Sequence, residues 1–75
     1  MVGDTPKRYV RFVKQVLLEN GERYIIAKNP LVDSEEKWLI PTAGMASELK
    51  KLTGMKAYIF VMNGKVTNYE EYPEA

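Results

Sequence analysis

The sequence predicts an α+β domain, an antiparallel four-stranded sheet with two helices on one face, in the order αββαββ. Three observations point there. Lys56-Ala57-Tyr58-Ile59-Phe60-Val61-Met62 is the most strand-like run in the chain and leads straight into Asn63-Gly64. Two amphipathic stretches, 6–19 and 42–53, are each followed by a glycine, Gly21 and Gly54. The two halves also share a faint pattern: Gly21, Tyr24-Ile25 and Asn29 recur as Gly54, Tyr58-Ile59 and Asn63, 33 or 34 positions on.

Asp4-Thr5-Pro6 reads as a helix start, with a side-chain acceptor for the first-turn amides and proline preset for the first helical position. At about 100° per residue, Tyr9, Val10, Phe12, Val13, Val16 and Leu17 share one arc, with Lys7, Arg8, Arg11, Lys14, Gln15 and Glu19 opposite. Asn20-Gly21 then becomes a left-handed C-cap. The competing reading makes residues 8–18 a strand and Asn20-Gly21 a hairpin turn, giving ββαββ. Alternation counts against it, because both strand faces would mix charged and apolar residues.

Arg23 to Lys28 is a short strand ended by Asn29-Pro30, since proline donates no hydrogen bond to a ladder. Asp33-Ser34-Glu35-Glu36 is a polar loop, and Lys37 to Ile40 a second strand closed by Pro41. Thr42 caps a helix to about Thr53, with Met45, Leu49 and Leu52 on one stripe and Gly54 ending it. In the next strand Ala57, Ile59 and Val61 face one way and Tyr58, Phe60 and Met62 the other, so it is expected to be central and buried on both faces. Lys65 to Tyr72 is more polar and is expected at a sheet edge. Residues 1–4 and 73–75 read as loose tails of a single domain, 1–75.

Composition narrows the function classes. The chain has 75 residues, and a domain of that size buries only about 60% of its unfolded surface. Eleven Lys and Arg against ten Asp and Glu give a net charge of +1, against strong indiscriminate binding to nucleic acid or anionic membrane. No apolar run approaches the roughly 18 residues of a membrane span, and no signal-peptide core is seen, so no membrane partner is expected. The absence of cysteine fits a reducing cytoplasm, and the Lys-, Arg- and Glu-rich polar positions are compatible with a thermophilic source.

The chain has neither histidine nor cysteine, so no Ser-His, Cys-His or zinc constellation can be built. No GxGxxG or P-loop spacing occurs. A non-enzymatic role is therefore expected, without a cofactor apart from a weak Ca²⁺ site. Three features carry binding potential. The basic face of the N-terminal helix, Lys7, Arg8, Arg11 and Lys14, suits a phosphate backbone, against its plainer reading as a solvated helix face. Asp33, Glu35 and Glu36 could hold Ca²⁺ loosely, although they lack EF-hand spacing and the plain reading is a solvated loop. Tyr24, Trp38, Tyr58, Phe60 and Tyr69 would lie on a sheet face uncovered by helices, a surface for a homodimer, a protein partner or RNA bases. A loop folded over that face is the plain alternative. The leading expectation is a protein-interaction or self-association module; the second is RNA binding; the third is the calcium loop.

Overall fold

Asn20-Gly21 and Asn63-Gly64 form two tight hairpin turns of the same kind. All four residues have positive φ, at 54° and 79° in the first and 54° and 76° in the second, the geometry in which a two-residue turn follows the right-handed strand twist. The computed structural model describes residues 5–73. Along these run β1 (Lys7–Glu19), β2 (Glu22–Lys28), β3 (Glu35–Ile40), α1 (Ala43–Lys51), β4 (Lys56–Met62) and β5 (Lys65–Glu71). The strands close into a barrel in the order β1-β2-β3-β5-β4, with β4 paired back onto β1.

The α+β expectation is thereby overturned. Among the described residues there is one helix rather than two, the sheet has five strands rather than four, and it is closed. The competing reading is right about the strand over 8–18 and the Asn20-Gly21 hairpin, but its order ββαββ is one strand short. Residues 7–19 are a strand, and the proposed helix start at Asp4 and the tail residues 1–4 and 74–75 lie outside the described residues. The apparent repeat dissolves, because its first half opens on a strand and its second on a helix.

The misleading periodicity in β1 has a specific cause. Tyr9, Arg11 and Val13 point into the barrel, and the pairing with β2 then skips a position between Val13 and Gln15. This bulge shifts the alternation, so that Val16 becomes the next residue to pack on the core. Inward apolar residues at 9, 13 and 16 are spaced by four and three, the spacing of a helix face. The remaining inward position, Arg11, is a buried charge, which makes the inner face look polar in the sequence. At the bulge, β1 leaves one partner for another. The Val13 N–H donates to the Met55 carbonyl at 2.9 Å, and the Gly54 N–H donates to the Val13 carbonyl at 2.7 Å.

β4 is buried on its inner face alone. Ala57, Ile59 and Val61 are in the core, whereas Lys56, Tyr58, Phe60 and Met62 are half-buried on the outside. β5 is not an edge strand: it pairs with β4 along its length and touches β3 in parallel at Leu39 and Lys65. The polar segment 33–36 is loop only at its start, since Glu35 and Glu36 already belong to β3. Val13, Ile25, Ile59 and Val66 fill the barrel, and Leu49 closes it from the helix.

α1 forms as expected. The Thr42 hydroxyl accepts from the Met45 N–H at 3.2 Å, and Lys50 and Lys51 lie at the negative end of the helix dipole. Ala46 and Leu49 are its buried residues, packed near Val16 and Ile40. The helix thus seals the end of the barrel next to the second half of β1. The opposite end is left to side chains.

Candidate functional site

That opposite end is closed by Arg11 and Glu36. The Arg11 guanidinium donates to both oxygens of the Glu36 carboxylate, at 2.6 and 3.0 Å, and to the Val10 carbonyl at 2.9 Å. It also lies across the rings of Tyr9 and Trp38, 4.8 and 5.9 Å from their centroids, while these rings sit 5.3 Å apart. Set among Ala27 and Ala57 of the core, the pair forms a satisfied plug.

On the outside, the β1–β4 pairing builds a strip. Its register sets Phe12 opposite Lys56, Val10 opposite Tyr58 and Arg8 opposite Phe60. Tyr72, just beyond β5, adds a ring 5.2 Å from Tyr58. The Arg8 guanidinium lies 4.6 Å from the Tyr58 centroid, and the Lys56 ammonium lies 4.8 Å from Tyr72 and 5.5 Å from Phe12. Neither cation forms a salt bridge among the described residues. Glu70, opposite Tyr58 on β5, marks the border of the strip. The loop 29–34 flanks it, and Pro30 and Leu31 wall a cleft of about 520 Å³ with Arg8, Lys56 and Tyr72.

The four cations expected on one basic face are dispersed. Arg8 is in the strip, Lys7 is exposed beside the barrel mouth, Arg11 is inside the barrel, and Lys14 is bound to Glu35 at 2.5 Å. Because the helix that would have aligned them is a strand, neighbours in sequence point to opposite sides. Asp33, Glu35 and Glu36 do not converge either. Each meets a different cation, Lys28, Lys14 and Arg11. The described residues contain no group of three acidic, histidine or cysteine side chains arranged to hold a metal. The Lys28 ammonium beside Asp33 holds that carboxyl below its usual range, and Asp33 in turn raises Lys28.

The five aromatic residues expected on one face are also divided. Tyr58 and Phe60 lie outside on β4, Tyr24 outside on β2, and Trp38 at the mouth. Tyr69 packs on the core, its hydroxyl donating to Glu48 at 3.3 Å; desolvation raises its phenol above the ordinary value. Phe12, Lys56 and Tyr72 were missed as members of the strip. The signal for Lys56 lay in the alternation of 56–62, which sets Lys56, Tyr58, Phe60 and Met62 on one side, but no pattern in the sequence says that Phe12 stands opposite Lys56.

The outer face of β2 and β3 differs in charge. Lys37 is held by Glu19 at 2.5 Å and lies 4.5 Å from the Tyr24 ring, and Lys14 is held by Glu35. The Tyr24 hydroxyl donates to Glu22 at 3.1 Å, which raises its phenol above the ordinary value. Cations on this side are neutralised by neighbours, whereas those of the β1–β4 strip have no carboxylate partner among the described residues.

Strand order and helix position together define the class: a five-stranded Greek-key barrel with the layout of an OB-fold. No family model, curated protein or solved structure matches the chain. No helix among the described residues is long and apolar enough to cross a membrane.

Proposed function

We propose that this barrel is a binding module for single-stranded nucleic acid, with the outer face of β1 and β4 as its contact surface. The observation that carries the reading is the interleaving of Arg8 and Lys56, both free of carboxylate partners among the described residues, with Phe12, Tyr58, Phe60 and Tyr72. Cations along a strip attract the backbone, and aromatic rings between them stack bases whatever the sequence. A duplex hides its bases and gains only the charge term, so single strands are favoured. The small net charge keeps affinity modest.

Fluorescence anisotropy with a labelled ten-nucleotide oligouridine tests this. Two to three neutralised phosphates give a log–log salt slope of about −1.5 to −2, at ~0.7 per phosphate on a single strand. Arg8→Glu and Lys56→Glu each flatten the slope, and Tyr58→Ala weakens binding by roughly 5- to 150-fold, the range for one lost stacking platform. Lys50→Glu, on the helix, changes neither. A salt-independent affinity, or one indifferent to both charge reversals, refutes the reading.

A protein partner is the second reading, favoured by one observation. Leu31 and Val32, at the tip of the loop 29–34, are 90% and 57% exposed, next to a Phe12 that is 39% exposed. Sedimentation of the parent chain against Leu31→Ser tests whether this loop supports self-association; identical monomeric profiles at high concentration remove the dimer.

A further inference from the structure

The mouth of the barrel holds a second recess, on the other side of β1 from the strip. It lies between the start of β1, the β4–β5 turn and β3, and encloses about 420 Å³. Pockets for small ligands begin at about 300 Å³ and occur in barrel mouths. It exists because β3 and β5 share only one register pair, Leu39 with Lys65, so the strands part before the first half of β3. The gap is bridged by the Tyr9–Trp38 stack rather than by a backbone ladder.

Four features define what would fit. Tyr9 and Trp38 offer apolar ring surface on one wall, and Val61 and Met62 line another. Lys7 is the one charged side chain of the lining among the described residues. Arg11, behind the two rings, is already neutralised by Glu36. Neither the Trp38 indole N–H nor the Tyr9 hydroxyl has a partner among the described residues. Among the described residues no buried side-chain polar atom is left without a partner.

We propose that this recess binds a nucleoside monophosphate, its base against Trp38 and Tyr9 and its phosphate at Lys7. A planar base packs offset or edge-to-face on the ring surface that Trp38 and Tyr9 turn to the recess, and it carries acceptors for an indole N–H and a phenol. A single ammonium, with no carboxylate opposite it among the described residues, suits one phosphate group. The proposal stands apart from the strip, since Arg8 and Lys56 take no part in it.

Trp38 is the one tryptophan of the chain and reports on its own site. Its emission is followed with excitation at the red edge of tryptophan absorption, while the full chain is titrated with adenosine monophosphate, adenosine, inorganic phosphate and glucose 6-phosphate. The nucleotide produces a saturable change and moves the indole N–H peak in a ¹⁵N correlation spectrum. Adenosine binds about tenfold more weakly, as does the nucleotide to Lys7→Glu, the cost of one charge-assisted contact. Lys56→Glu, which disables the strip, leaves nucleotide binding unchanged. The unliganded indole peak of Lys7→Glu at its parent position shows that the variant barrel has closed. No saturable change, an equal response to phosphate alone or to glucose 6-phosphate, or an affinity unaltered by Lys7→Glu overturns the proposal. Loss of oligouridine binding with nucleotide binding intact refutes the strip alone.

Discussion

Replacing Glu36 by alanine is the most informative perturbation of this barrel. The substitution removes two hydrogen bonds, at 2.6 and 3.0 Å, and strands the Arg11 guanidinium, whose side chain is 11% exposed. Breaking a buried ion pair from one side costs ~3–5 kcal/mol. Glu36 itself is 33% exposed, so water can re-enter, and Arg11 keeps the Val10 carbonyl. A loss of about 2–3 kcal/mol is therefore expected. At roughly 4–8 °C per kcal/mol for a domain of this size, the midpoint falls by about 15 °C in a thermal melt followed by circular dichroism. The pair Arg11→Met with Glu36→Leu removes both charges while keeping much of the volume, and recovers to within about 1 kcal/mol of the parent. The magnitude rests on Arg11 being held inside. If Glu36→Ala melts within a degree or two of the parent, or the double replacement is worse than the single one, the plug does not constrain the barrel.

Two further outcomes follow from local geometry. Gly64 has φ +76° and a Cβ there would meet nothing within 4 Å, so Gly64→Ala costs only the left-handed penalty, about 1 kcal/mol in a urea titration, and D-alanine at that position costs almost nothing. Asp33 titrates below the ordinary carboxylate range because of Lys28, so the Lys28–Asp33 contact contributes above the unfolded pKa and is lost as pH falls through the folded one. A ¹³C-detected carboxylate titration should show that depressed midpoint, returning to the ordinary range in Lys28→Met.

The sequence by itself determined what is local. Asn63-Gly64 as a hairpin turn, the Thr42-capped helix ended near Gly54, the strand 56–62 and the missing histidine and cysteine were all legible, since each depends on backbone preference or composition over a few residues. Asn20-Gly21 carried the same turn chemistry, and the same two residues also end helices, so the flanking pattern had to decide. That pattern was scrambled by one bulge and one buried charge. A bulge has no residue type of its own, and Arg11 is affordable inside only because Glu36, 25 positions away, meets it there. Tertiary structure alone therefore decided that β1 is a strand, and with it which side every charge of that segment faces. Closure followed from β1 being long enough to pair with β2 along its second half and with β4 along its first. The same long-range register brought Phe12 to Lys56 and Arg8 to Phe60, and kept Arg11 and Lys14 away from them. Local preference names the elements; the pairing of distant strands selects which side chains share a surface.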